Sequence, residues 1–319
     1  MLWFYALIFT GCCVLLYFSG EWVIGGLIRL AKFLGWKEFV VAFFVMAFAA
    51  SLPNLFVGIT SALKGIPQLS FGDIAGNNLV ALTLAVGLAA LFAKGGITAD
   101  SKAIQTTSIF TLVAAILPLL LIWDGELSRI DGIVLILFFI FYCYWLFCKK
   151  ERFSKVYEEQ HTSTVKSFKG IIRDFGKVLL GMVFLVIAAQ GIVASAQFFA
   201  QTFNFPLILV GVLITGLGSA LPEIYFAVSM AKKGQSWMIL GDLMGAVIIP
   251  STLILGIVVL IHPIRILDLS PFAIARIFLI ISTFSFFLFI KTDRHITKKE
   301  AFYLMGVYLV FFLVEILAR

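Results

Sequence analysis

Residues 52–91 read LPNLFVGITSALKGIPQLSFGDIAGNNLVALTLAVGLAAL, and residues 221–260 read LPEIYFAVSMAKKGQSWMILGDLMGAVIIPSTLILGIVVL. Slid forward by 169 positions, the first stretch falls on the second without a gap, and 12 of 40 positions are identical. Generic apolar similarity can supply matching Leu and Ala. It does not readily set Leu52-Pro53 on Leu221-Pro222, Lys64-Gly65 on Lys233-Gly234, and Gly72-Asp73 on Gly241-Asp242 at one constant offset. Gly76 and Gly245, Thr83 and Thr252, and Gly87 and Gly256 fall on the same offset. The chain is an internal duplication, and a long-period repeat fixes the fold before any single helix is read.

Composition supplies the medium. Of 319 residues 62% are hydrophobic and 13% charged, against roughly 25% charged in soluble domains. So few charges cannot cover a water-facing surface, which excludes a soluble enzyme, a disordered chain and a secreted disulfide scaffold. Cys12, Cys13, Cys143 and Cys148 lie in or beside apolar runs without a CxxC pair, so neither a zinc site nor a redox motif is supported. No HExxH or GxSxG motif is present, so the sequence gives no support for an enzyme.

A helix needs roughly 20 apolar residues to cross a bilayer. Ten such segments can be marked, near 2–28, 39–63, 69–92, 105–123, 130–148, 176–202, 206–231, 237–261, 270–290 and 300–318. The first lacks a basic leader and stays apolar past Trp22, so it reads as a span and not as a cleaved signal. A charged stretch, 149–175, separates residues 1–148 from 176–319, five spans on each side. Five is odd, so two consecutive copies enter the membrane in opposite senses. The expectation is an all-α membrane protein of ten transmembrane helices in two inverted five-helix repeats, an architecture common among secondary transporters. With the N-terminus outside, 19 of the 24 Lys and Arg fall in inner loops or their edges. The positive-inside rule then sets both termini outside and the basic loop 149–175 in the cytoplasm, across the cell membrane. The net charge of +7 follows from topology and contact with anionic lipid, and no nucleic-acid partner is needed.

Polar residues inside the spans carry the chemistry. Pro53 and Pro222 each remove a backbone donor, freeing the carbonyls of Ala49 and Gly218 in spans that read as interrupted helices. A free carbonyl at membrane depth must be met by protein, water or a bound ion. Beside a carboxylate it suits a hard cation, which takes oxygen ligands. Glu223 follows Pro222 directly, and an acid at a helix centre costs roughly 2.5–3.5 kcal/mol on insertion scales. Asn54 occupies the matching place in the first copy. Asp73 and Asp242 sit in matched Gly-Asp-x-x-Gly settings, and Asn77 shares a helical face with Asp73. Two readings of these acids stay open: ligands, or helix N-caps near the interface.

Ten spans in two inverted halves, with a Leu-Pro-x element close behind a Ser and a downstream Gly-x-x-x-Gly element in each half, resemble the calcium/cation antiporter superfamily, most of all its prokaryotic sodium/calcium exchangers. The resemblance is specific in two α-repeats, about 44–91 and 213–260. It implies a midplane site where exchanged cations compete, reached alternately from each side, and no cofactor beyond the transported Ca²⁺, Na⁺ or H⁺. The family's two key acids follow the two prolines. Glu223 matches one, and Asn54 stands where the other belongs. Ser51 and Ser219 match the family's hydroxyl ligands, while Ala50 and Ala220 stand beside them. On the following spans Asn77 and Ala81 in one copy, and Ala246 and Pro250 in the other, occupy positions where the family carries oxygen ligands. The expected cation set is therefore Glu223, Asn54, Ser51, Ser219, Asn77, Asp73 and Asp242 with the carbonyls of Ala49 and Gly218, Glu223 and Asn54 being its metal-binding pair. Loss of one acid implies an altered ion preference. Proton-coupled or monovalent exchange, and a non-transporting scaffold or sensor that kept the fold, are the alternatives.

Overall fold

The computed structural model describes residues 1–33, 46–148, 168–266, 270–292 and 294–318. Most of the basic loop and the first residues of the second span lie outside the described residues. Among the described residues nine helices are long and apolar enough to cross a membrane. The second span appears as α2 (Met46–Ala50) and α3 (Leu52–Leu63), separated at Ser51. The chain is a multi-pass membrane protein. The other spans are α1 (Leu2–Phe33), α4 (Pro67–Val80) running into α5 (Val86–Phe92), α6 (Lys102–Leu121), α7 (Arg129–Cys148) and α8 (Phe168–Phe203). They continue as α9 (Leu207–Val210) leading into α10 (Gly216–Lys232), α11 (Ser236–Ile249) into α12 (Leu255–Ile261), α13 (Ala273–Thr292) and α14 (Lys298–Leu317). Helix α8 starts at Phe168, inside the stretch expected to be loop.

Two short ribbons display the inversion. β1 (Ile97–Thr98) pairs antiparallel with β4 (His295–Ile296), and β2 (Glu126–Leu127) with β3 (Ile264–Arg265). Each ribbon joins a loop of one half to a loop of the other. Advancing β2 by 169 positions lands on β4. β1 follows the third span and β4 the ninth, so an even number of crossings separates them and they share one membrane face. β2 and β3 share the opposite face by the same count. Two equivalent ribbons on opposite faces are what inverted copies require.

The repeated residues have structural work to do. Gly65 and Gly234 take the left-handed conformation (φ 73° and 70°) in the tight turns after the second and seventh spans, which a side chain would strain. Thr83 and Thr252 each donate a side-chain hydrogen bond to the carbonyl four residues back, Leu79 and Ile248. Around them the helix widens into π-turns, Ala81–Ala85 and Pro250–Ile254, again 169 apart. Such back-bonding bends helices, and π-turns concentrate at functional sites. Gly87 lies against α14 and Gly256 against α7, equivalent helices exchanged between halves.

The tightest crossing sets α4 on the α9–α10 span. A Cβ added at Gly72 or Gly76 would fall on the carbonyl oxygen of Ile208 or Val212, and one at Gly216 would sit 2.7 Å from Gly76 Cα. Backbone meets backbone, and no side chain can retreat. We expect Gly76→Ala to cost about 1–3 kcal/mol or more in thermal unfolding of the detergent-solubilised protein. Gly306→Ala, whose added carbon meets nothing within 4 Å, should leave the midpoint unchanged. Equal effects would contradict this packing.

Candidate cation site

The close crossing carries a line of polar side chains. Ser219 of α10 donates to Asp73 Oδ1 of α4 at 3.2 Å and lies 3.5 Å from Asn77 Oδ1. Asn77 in turn donates through Nδ2 to Glu223 Oε1 at 3.4 Å. Ser219 and Glu223 are four apart on α10, and Asp73 and Asn77 four apart on α4, so each pair shares one helical face. Small residues let the two faces meet. Exposure is 1% for Asp73, 0% for Asn77, 4% for Glu223 and 9% for Asp242.

Each of the three carboxylates keeps one buried oxygen without a hydrogen-bond partner: Asp73 Oδ2, Glu223 Oε2 and Asp242 Oδ2. Among the described residues none of them joins an ion pair with Lys or Arg; Arg265 and Glu126 pair instead on the exposed β2–β3 ribbon. A buried, uncompensated carboxylate costs several kcal/mol even after relaxation. The acids are spread along a path. Among the described residues no group of three or more His, Cys, Asp or Glu could hold a metal ion as a cluster. A cation here would take most of its oxygens from neutral groups.

Glu223 and Asp242 share a cavity of about 400 Å³. Its walls come from α1 (Leu16, Tyr17, Gly20), from Ala50 and Pro53 at the break of the second span, and from α10 (Tyr225, Phe226, Met230). The α10 residues lie toward the end of the seventh span that meets the face carrying the β1–β4 ribbon, and the α1 residues near the middle of that helix. Asp73 is not in its lining.

The sequence expectations fare unevenly in this geometry. Asp73, Asn77, Ser219 and Glu223 are brought together by hydrogen bonds, and Asp242 by the shared cavity. Ser51 is turned to its own helix, donating to the Ala47 carbonyl at 2.9 Å. Asn54 is buried with neither side-chain polar atom partnered, and no hydrogen bond links it to Glu223. The N-cap reading of the two Asp residues does not survive. The caps are Ile66 and Gln235, and both acids lie in the second turn, because each helix starts earlier than its apolar run. The matched interruptions also differ: Pro53 begins a new helix at α3, whereas α10 runs continuously through Pro222. Both prolines still leave Ala49 and Gly218 without the donor four residues on. Sequence reasoning missed the Asn78–Ser251 hydrogen bond at 2.7 Å, which ties the third span to the eighth. Asn78 is adjacent to Asn77 on the chain, but nothing in the repeat marks Ser251 as its partner.

An inverted-repeat helical membrane protein with unpaired acids at the crossing of its halves has the form of a secondary ion transporter. The sequence profile described as sodium/calcium exchanger protein matches residues 4–148 and 174–317, and the chain belongs to that family. Uncharacterized membrane protein MJ0091 of Methanocaldococcus jannaschii is 26% identical over 236 residues, 73% of this chain and 74% of its own length. Sodium/calcium exchanger MaX1 of Methanosarcina acetivorans is 24% identical over 320 residues, covering 89% of this chain and 91% of the relative. Among solved structures, the sodium-calcium exchanger NCX_Mj soaked with 2.5 mM Na⁺ and 10 mM Sr²⁺ shares the fold with a TM-score of 0.66 at 23% identity, over 97% of this chain and 98% of that one.

The hydrogen-bonded line makes a specific demand. In Asn77→Ala, Glu223 Oε1 loses its donor and Ser219 an oxygen neighbour. Whatever cation the purified protein binds should bind about tenfold more weakly, about 1.4 kcal/mol, by isothermal titration. Unchanged affinity would remove Asn77 from the site.

Proposed function

We propose that this protein is a secondary active cation antiporter of the sodium/calcium exchanger type, working by alternating access around a midplane cation site with an altered ion preference. One observation carries the reading. Two buried carboxylates, Asp73 and Glu223, stand in one hydrogen-bonded line where the repeats cross, a third, Asp242, shares a cavity with Glu223, and none has a cationic partner among the described residues. Such charges are tolerated in a membrane interior when they hold a mobile cation or proton. Family membership supports the same reading.

The site centres on Glu223, with Asn54, Asn77, Ser219 and Ser51 as neutral oxygen donors, the carbonyls of Ala49 and Gly218 completing it, and Asp73 and Asp242 flanking it. A Ca²⁺ ion takes 6–8 oxygens and is best held by more than one carboxylate. With Asn54 in place of an acid, a single formal charge stands at the centre. Divalent binding is weakened there and monovalent ions gain relative to it. Protons are the natural second partner, since neutralising an unpaired carboxylate needs no particular coordination geometry. We assign the protein to the cell membrane, in contact with lipid and inorganic cations, with both termini outside and the β1–β4 face in the cytoplasm.

The test is flux in proteoliposomes. Uptake of ⁴⁵Ca²⁺, ²²Na⁺ and ⁸⁶Rb⁺ is followed against opposing Na⁺, K⁺ or proton gradients. At least one gradient should drive uptake of a different cation, and Glu223→Gln should abolish it. Asn54→Glu restores the second acid and should strengthen Ca²⁺ interaction at least tenfold relative to Na⁺. Exchange that survives Glu223→Gln, or a Ca²⁺ to Na⁺ preference untouched by Asn54→Glu, would contradict the assignment.

A further inference from the structure

Asp73 and Asp242 are equivalent in the repeat but not in their surroundings. Each is the seventh residue of its helix, roughly 9 Å along from the turn that precedes it, on opposite faces of the protein. The crossing supplies Ser219 to Asp73, and Asn77, one turn on along the same helix, lies within reach of the same hydroxyl. Shifting those two positions by 169 gives the residues due to stand around Asp242: Ala50 and Ala246. Both are apolar, so neither the hydroxyl that bonds Asp73 nor the amide that continues the line has a counterpart. Asp73 is sealed under the backbone contacts of Gly72, Gly76 and Gly216. Asp242 lines the 400 Å³ cavity, with Ala50 itself among the walls. It has an unpartnered Oδ2 and 9% exposure. The cavity volume is many times that of a bare metal cation; Glu223 also lines it, and the remaining walls, among them Leu16, Tyr17, Phe226 and Met230, are largely apolar. The asymmetry is written in the sequence and does not depend on which way the transporter faces.

We infer that Asp242 is a cytoplasm-facing capture station for cations, in a largely apolar vestibule that opens directly onto Glu223. Asp73 is its desymmetrised twin, built into the closed hydrogen-bonded line and not a point of entry. The inference rests on the antiporter reading for its purpose, but its physics stands alone. A carboxylate with no bonded partner, walled by apolar groups, has little to compete with for its field, so it concentrates small cations over anions at the vestibule without selecting strongly among them. Selection then falls to the Glu223 centre, where neutral oxygens crowd in.

The experiment reads local charge, not transport. In a background with all four cysteines replaced, Ser229→Cys puts a thiol in the vestibule wall. Everted and right-side-out membrane vesicles are treated with membrane-impermeant methanethiosulfonate reagents, one cationic and one anionic. The cysteine should react from the cytoplasmic face and be at least tenfold slower from the other. Asp242→Asn should lower the ratio of cationic to anionic rates by roughly tenfold, as removal of a charge lining the same cavity demands. Asp73→Asn should change that ratio by less than twofold. Reaction from the outer face alone, or a ratio that ignores Asp242→Asn, would overturn the inference. Should Asp242→Asn insert poorly, Asp242→Glu in the same background keeps the charge and should keep the ratio; a tenfold fall there would equally overturn it. The rates are read whether or not the vesicles exchange cations, so failure of the station and failure of the antiporter reading give different results.

Discussion

The third span crosses the seventh with backbone against backbone, and the site depends on that contact. Gly72 and Gly76 let α4 close onto Ile208, Val212 and Gly216. Only at that separation can side chains as short as Ser219, Asp73 and Asn77 reach one another. In lipid the hydrophobic effect gives helices little reason to associate, so close packing and interhelical hydrogen bonds carry the association. Here the two coincide. The glycines of α4 that permit the approach lie one and three residues from the acid that uses it, and Gly-Asp-x-x-Gly recurs as a unit.

The inverted repeat turns one solution into two, and divergence then makes them unequal. Turn glycines, threonine back-bonds, π-turns and the small residues facing α7 and α14 kept their symmetry, because each holds the backbone in a shape both halves need. Polar residues at the crossing did not. Asn54 faces the role Glu223 fills, and Ala50 and Ala246 stand opposite Ser219 and Asn77. Backbone constraints are shared by the copies, whereas ligand chemistry has only to be satisfied once, at the centre.

The same distinction governs what could be read from sequence. Helix number and placement followed from apolar length, and the inversion from the odd span count, because the bilayer leaves the backbone few choices. Asp73, Asn77, Ser219 and Glu223 were legible because repeat position and polarity agreed. The second-turn position of the two acids was not, since Pro67 and Ser236 begin their helices inside stretches that read as loop. Nor was the contrast between a broken helix at Pro53 and a continuous one at Pro222, which tertiary packing decides. The Asn78–Ser251 bond joins residues 173 apart and has no local signature.

The central claim is that unpaired acids at the crossing exist to hold a cation. The most direct measurement is calorimetric titration of Ca²⁺, Na⁺ and K⁺ into the purified protein at two pH values, beside Glu223→Gln. The account predicts saturable binding of at least one of these ions, or proton release accompanying it, that disappears in Glu223→Gln. A folded protein that takes up none of them at either pH, with and without the substitution alike, would contradict it.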